Sequence, residues 1–272
     1  MAAALVLAYA GIQRLRRPEP TPIPDYNPAE LAGVRANLDA PYVSTEYDIV
    51  RAMLNLAGAT AQDLVVDLGS GDGRIPILAA REKGARGLGV DLDPARIREA
   101  RSNALQAGVS ERVAFRQGDL FNQPLGDATL LTLYLLPEIN LQLRPRILQQ
   151  MRPGTRVVSN SFDMGDWRPD RRVQVQGTNI FLWTVPAQAG GRWRMSVAGG
   201  GIGELALQQR FQDLQGTLSL NGRSVPLRDV QLQGAQVAFT ADLGQGARRF
   251  EGRIDGGGMA GNGWQAVRVA GP

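Results

Sequence analysis

Between Asp63 and Phe162 the chain alternates between two spacings of apolar residues. Five short runs, DLVVDLG, ARGLGVDL, RVAFRQGDLF, DATLLTLYLL and TRVVSNSF, read as strands, the fourth being the most apolar. Between them the apolar residues return at helical intervals, in GRIPILAAREKG, DPARIREARSNALQAG and PEINLQLRPRILQQMRPG. An earlier helix, STEYDIVRAMLNLAGA, carries Ile49, Val50, Met53, Leu54 and Leu56 on one side, with Ser44 or Thr45 as its cap. Asp93 caps the helix that begins at Pro94 and ends at Gly108; Gly84 ends the one containing Pro76; Pro145 bends or breaks the last. Strand and helix alternating at short intervals predict a parallel, doubly wound Rossmann-like α/β sheet covered on both faces.

From about Val173 helical spacing disappears. NIFLWTVPA, RWRMSV, ELALQQRFQ, GTLSLNG, VQLQGAQVAFTADL and RRFEGRIDG are short alternating runs, several of them separated by glycine or Asn–Gly. Asn221–Gly222 suits a two-residue hairpin turn. The expectation is a small antiparallel β domain, a sandwich or a partial barrel, with the glycine-rich IDGGGMAGNG as a turn or bulge. The chain thus divides into an apolar N-terminus and Pro-rich linker (1–40), an α/β domain (41–188) and a small all-β domain (189–272).

Composition then removes chemistries. The 272 residues contain no cysteine and no histidine, which excludes disulfides, zinc–thiolate sites and histidine-dependent hydrolase mechanisms. Lys83 is the single lysine, and arginine supplies nearly all the positive charge, a bias that fits a GC-rich bacterial genome. The basic residues are scattered, so no nucleic-acid partner is expected. Arg171, Arg172, Arg192, Arg194, Arg248 and Arg249 read as solvated strand faces. MAAALVLAYAGIQRLRR is too short to span a membrane as written. Three readings stay open for it: the tail of a longer anchor, an interfacial helix held by Arg14, Arg16 and Arg17, or a plain helix. The matching location is cytoplasmic, at the inner face of a membrane under the first two readings.

The candidate chemistry lies where strands end. VVDLGSGDGR carries Asp67 at the end of the first strand, then Gly69, Ser70, Gly71, Asp72 and Gly73. Such a turn has little side-chain bulk, so backbone can approach a ligand closely. A dinucleotide fingerprint wants glycine where Arg74 stands, and an acid at the strand end suits a cation or hydroxyls better than a phosphate. Asp91 ends the second strand in GVDLDP, where a carboxylate can accept from a ribose diol. Asp119 follows the third in RQGDLF, placed to accept from an exocyclic amine, with Leu120 and Phe121 beside it.

Together VVDLGSGDGR, GVDLDP and QGDLF resemble a class I S-adenosylmethionine-dependent methyltransferase. PYVSTEYDIVRAML, the stretch from Leu68 to Pro94, and DATLLTLYLLPEINLQLRPRILQQMRPGTRVVSNSFDMGDW resemble a family of small protein-lysine methyltransferases. Its mitochondrial members act on the adenine nucleotide translocase and the ATP synthase c-subunit. The likeness covers roughly Pro41 to Pro186. It implies S-adenosyl-L-methionine as cofactor and, as partner, a protein with an accessible lysine, membrane-embedded in the mitochondrial cases. It also implies that Asp67, Gly69, Ser70, Gly71 and Gly73 lie under the methionine part of the cofactor. Asp91 and Leu92 would take the ribose, and Asp119 with Leu120 the adenine. Pro41, Tyr42 and Thr45 match the segment that closes over it, although Ser44 stands where the family usually has proline. Tyr134, Glu138 and Asn140, after the fourth strand, are the candidate catalytic residues, with Tyr134 equally readable as packing. Asp163–Trp167 shapes the acceptor pocket or, in the case of Trp167, belongs to the core. The alternatives are a small-molecule methyltransferase and a non-catalytic binding module.

Overall fold

The computed structural model describes residues 45–244 and 246–269. The N-terminal apolar segment and linker, and with them Pro41, Tyr42 and Ser44, lie outside the described residues. In chain order the α/β part holds α1 (Tyr47–Leu56), β1 (Leu64–Leu68), α2 (Arg74–Lys83), β2 (Arg86–Asp91), α3 (Pro94–Gln106), β3 (Val113–Gln117), β4 (Leu130–Leu133), α4 (Pro137–Gln150), β5 (Arg156–Asn160), β6 (Arg171–Val175) and β7 (Thr178–Thr184). The second part holds β8 (Gly191–Val197), β9 (Gly201–Arg210), β10 (Asp213–Leu220), β11 (Arg223–Pro226), β12 (Arg228–Gln233), β13 (Gln236–Asp242), β14 (Ala247–Asp255), β15 (Gly258–Gly261) and β16 (Trp264–Arg268).

The first sheet has seven strands in the order β3-β2-β1-β4-β5-β7-β6. Its first five are parallel; β7 runs antiparallel to both neighbours. Period-two alternation sorts the side chains onto two faces. Val65, Leu130 and Val158 pack with α1 and α2, through residues such as Met53, Leu54 and Leu78. Val66, Leu131 and Val157 point the other way, against Leu143 and Ile147 of α4 and the indoles of Trp167 and Trp183. Both faces are covered, which is why the central strands are almost wholly apolar.

Caps follow the expected chemistry at α3, where Asp93 Oδ1 accepts from Ala95 N at 2.7 Å and Pro94 fills the first position. Helix α2 ends at Gly84 in the left-handed region. Helix α1 differs: its N-cap is Glu46, without a side-chain cap, and the Thr45 carbonyl before it accepts from Arg74 Nη1 at 2.7 Å. Helix α4 runs unbroken through Pro145.

NIFLWTVPA belongs to the first sheet rather than to the tail. Its residues Ile180, Phe181, Leu182 and Trp183 are buried in succession, as an internal strand requires and a one-sided meander forbids. The β6–β7 turn, Gln176–Gly177, has φ of 50° and 80°, a primed hairpin turn.

The tail is a nine-stranded antiparallel sheet, in the order β11-β10-β9-β8-β16-β15-β14-β13-β12. Strands β10 and β11 at one end of that order lie against β12 and β13 at the other, so the sheet curls into a nearly closed barrel. Its interior holds Trp193, Met195, Leu205, Leu218, Phe239, Phe250 and Trp264, and all six arginines read as solvated strand faces, Arg171 and Arg172 of β6 included, are exposed. Asn221 and Gly222, with φ of 52° and 77°, make the expected hairpin turn. IDGGGMAGNG is more than a turn: Gly258–Gly261 is strand β15, between turns at Gly256–Gly257 and Asn262–Gly263. A Cβ on Gly261 would lie 1.8 Å from the Glu251 carbonyl and 2.3 Å from Trp264 Nε1. Glycine there permits close backbone approach, and a strand with so few side chains shows no alternation to read.

Candidate active site at the carboxyl edge of the parallel sheet

Strand β1 delivers Asp67 to the sheet edge on the face of Val65, opposite Thr132 of β4. Its carboxyl is 2 % exposed and accepts from Thr132 Oγ1 at 2.6 Å. Burial pushes it up to about 7, against the Thr132 hydrogen bond, and the negative charges of Asp91 and Asp72 add to the rise.

The glycine turn then crosses the end of β2. Gly69 N and Ser70 N both donate to the Val90 carbonyl, at 2.8 and 2.9 Å. Gly69, Gly71 and Gly73 have φ of 75°, 52° and 80°. Asp91, half-buried, ties the turn down: Oδ2 accepts from Gly71 N at 2.8 Å, and Oδ1 from Asp93 N at 2.9 Å. Each carboxylate oxygen keeps a further acceptor position. Gly118 N donates to the Asp91 carbonyl at 3.0 Å, which joins the β3 end to the same cluster. Asp119 caps a single 3-10 turn, Leu120–Asn122, through Phe121 N at 2.8 Å and Asn122 Nδ2 at 3.0 Å. Leu92 and Leu120 are half-buried beside these acids. The three carboxylates therefore stand at three neighbouring strand ends around one bend.

The sequence reading missed what Arg74 does. Its guanidinium grips Asp72 in a fork, with Nε to Oδ1 at 2.9 Å and Nη2 to Oδ2 at 2.6 Å. It also donates to the Thr45 carbonyl and lies 5.4 Å from the centre of the Tyr47 ring. One side chain thus fastens the entry of α1 to the glycine turn. The D-x-R spacing at the start of α2 was the available signal.

Past β4, Tyr134 is half-buried and Glu138 is exposed in the first turn of α4. Asn140 is fully buried instead of facing an open cleft. Its Nδ2 lies 3.3 Å from Ser159 Oγ, 3.4 Å from the Phe162 carbonyl and 3.3 Å from that of Asp163, while its buried Oδ1 has no partner among the described residues. Trp167 is core: it is fully buried, and its carbonyl accepts from Trp183 Nε1 at 2.7 Å.

Gly73 gives a direct check on the turn. A Cβ there would sit 2.5 Å from Phe115 Cζ and 2.9 Å from Ala100 Cβ, at a positive φ. Gly73→Ala is expected to destabilise the fold by about 2–3 kcal/mol, from the left-handed backbone and overpacking together. Urea denaturation measures it.

A parallel sheet in this order, with an acid at each of three adjacent strand ends and a glycine turn after the first, defines a class I methyltransferase architecture. The model of the ANTKMT methyltransferase domain family matches residues 67–171. A protein-lysine N-methyltransferase of Saccharolobus islandicus is 39% identical over 150 residues, which are 53% of this chain and 93% of that protein. The adenine nucleotide translocase lysine N-methyltransferase of Mus musculus is 35% identical over 137 residues, and the chain spans 59% of its length. Among solved structures, an RNA methyltransferase from Salinibacter ruber in complex with S-adenosyl-L-homocysteine is 51% identical, with a TM-score of 0.53, over 54% of this chain and 95% of that one. The chain belongs to this family of S-adenosylmethionine-dependent methyltransferases.

The residues present fit that cofactor. Ser70 Oγ is buried in the turn without a partner among the described residues, and Asp91 keeps acceptor capacity after satisfying two backbone N–H groups. A Cβ on Gly69 would meet Leu135 Cδ2 at 2.8 Å, so the bend admits no bulk.

Proposed function

We propose that this chain methylates a lysine side chain of a protein. The observation that carries the reading is the 39% identity to a protein-lysine N-methyltransferase along 93% of that relative's length. In this reading Asp91, with Leu92, accepts from the ribose hydroxyls, and Asp119 with Leu120 holds the adenine. The Gly69–Gly73 turn and Asp67 lie under the methionine part, and Tyr42 and Thr45 close over it. Bound there, S-adenosylmethionine supplies a methyl group on a sulfonium, open to in-line displacement by an amine.

The chain's own residues then have two tasks. One is placement, which can supply about 7–11 kcal/mol of barrier lowering when nucleophile and electrophile are held in line. Tyr134, at the end of β4, lines the amine path with its ring and orients the lone pair with its hydroxyl; Glu138 stands at the mouth. Asn140 acts from behind by holding the segment that follows β5. The other task is deprotonation. A lysine has a reference pKa of about 10.4. Leu135 and Leu136 desolvate the amine and favour its neutral form, so no histidine is needed.

The similarity to the RNA methyltransferase of Salinibacter ruber supports a second acceptor class and fixes the design of the test. A knockout lysate, with its membranes, is incubated with the chain and methyl-labelled S-adenosylmethionine. The expected label is sensitive to protease, resistant to ribonuclease, and found on lysine after digestion; ribonuclease-sensitive label would overturn the lysine reading. Label in the membrane fraction would support a membrane-embedded acceptor, and with it a cytoplasmic enzyme working at the inner membrane face.

A further inference from the structure

The barrel is an addition to the catalytic fold. About half of this chain accounts for 93% of the Saccharolobus islandicus relative and 95% of the Salinibacter ruber chain. Neither has length left for nine further strands. What the barrel does is visible where it touches the first sheet.

The segment Ser161–Asp170 leaves the carboxyl edge after β5 and descends over the α4 face. It begins strained, with Ser161 at φ 67°. Helix α4 pins its upper part: Asn140 Nδ2 reaches the Phe162 and Asp163 carbonyls, and one turn on Arg144 Nη1 donates to the Met164 carbonyl at 2.6 Å. The barrel pins the same segment from outside, with the two-residue turn between β9 and β10. Phe211, at φ 54°, stacks on Trp167 with ring centres 6.1 Å apart and planes at 21°. The Arg144 guanidinium also lies over that ring, 5.3 Å from its centre. Asp166 bridges the two bodies, pairing with Arg144 of α4 and with Arg210 of β9 at 2.8 Å. Gln212 Nε2 donates to the Arg168 carbonyl at 2.7 Å, and Arg168 pairs with Asp213 at 3.0 Å. An aromatic residue in a left-handed turn position, where glycine is usual, marks a place where tertiary contacts decide the backbone.

We propose that the barrel is a positioning device for the acceptor side of the methyl-transfer site: its β9–β10 turn braces the segment Ser161–Asp170, which Asn140 and Arg144 hold from the other side. Phe211 and Asp166 are its positioning residues. The proposal rests on the reading of the β4–α4 edge as the acceptor side. Asp91 and the glycine turn are tied to β2 and the start of α3 and not to this segment, so cofactor affinity is expected to hold when the brace is loosened.

The test uses the full chain as wild type, Phe211→Ala and Asp166→Asn, with Arg192→Gln on the exposed barrel surface as control. Asp166 is exposed, so its variant keeps the test open where Phe211→Ala fails to fold. Hydrogen exchange is followed in peptides from Ser161–Trp167 and from Gly69–Gly73. The expected result is at least tenfold faster exchange in the first and no change in the second, with S-adenosylhomocysteine affinity within twofold of wild type. With total protein of the knockout lysate as acceptor, the half-saturating concentration should rise about fivefold or more while kcat holds within twofold. Unchanged exchange in Ser161–Trp167 in the folded variants, or a loss confined to cofactor affinity, overturns the proposal. Wild type that labels no lysate protein strikes the lysine reading instead, and the exchange data still decide the brace.

Discussion

Asp91→Ala is expected to weaken S-adenosylmethionine binding by about 100-fold to 1,000-fold. The carboxylate has two sets of partners. On the protein side it accepts from Gly71 N and Asp93 N, and so fixes the glycine turn against the start of α3. On the ligand side, in the proposed reading, its remaining acceptor positions take the two ribose hydroxyls. Hydrogen bonds to a charged group are worth about 1.5–3 kcal/mol each. Losing two of them costs about 3–6 kcal/mol; 1.4 kcal/mol is tenfold in affinity, so the lower part of that range, about 3–4 kcal/mol, gives the 100-fold to 1,000-fold loss. Asp91→Asn keeps one acceptor oxygen, and a loss of about tenfold is expected. Calorimetric titration with S-adenosylhomocysteine reads both, and urea denaturation shows whether the turn itself has loosened. An alanine variant that binds within twofold of wild type would remove the ribose role assigned to this residue.

How far the sequence disclosed this arrangement depends on the range of the forces involved. The β1–α3 region was legible because its signals are local: Asp93–Pro94 at a helix start, Gly84 and Gly108 at helix ends, and strands ending in acids. NIFLWTVPA reads with the β-rich tail although the 41–188 bounds keep it in the α/β domain, because a β strand looks the same locally whether it joins a parallel sheet or a meander. Only the burial of Ile180 to Trp183 on both faces distinguishes them, and that requires α1 on one side and Trp167 on the other. Strand β15 escaped notice because Gly258 and Gly261 carry no side chain to alternate. Among the site residues, Asp67, Asp91 and Asp119 could be named from their positions alone. Asn140 could be named too, but its burial could not, since its partners lie 19 to 23 residues further on. The Arg74–Thr45 and Asp166–Arg210 contacts join segments 29 and 44 residues apart, beyond any periodic signal.

Asp67 carries the largest pH effect. Its carboxyl is raised from 3.8 to about 7 in the folded, ligand-free chain. A raised carboxyl binds its proton more tightly folded than unfolded, so its contribution to stability is fully present below about pH 3.8 and is lost as pH rises through about 7. About three units at 1.36 kcal/mol each set an upper figure of about 4 kcal/mol. Asp67→Asn keeps the shape and an oxygen for Thr132 but cannot ionise. The stability of the variant minus that of wild type should therefore grow between pH 4 and pH 8, toward about 4 kcal/mol, in urea denaturation of the ligand-free chain; taking the difference cancels the carboxylates that Asp67 does not feel, which leaves Asp91 and Asp72. The same burial suits a cationic ligand. A positive charge brought beside Asp67 favours its ionised form, so binding releases a proton below pH 7, and wild-type affinity should fall as pH drops from 8 to 6 while that of Asp67→Asn stays level. Under the proposed placement, the ionised carboxyl that destabilises the empty fold above about pH 7 would be offset by the positive charge of the cofactor. A flat stability difference across the range would mean that Asp67 is already ionised in the free chain, and that the pH dependence of binding belongs to another group.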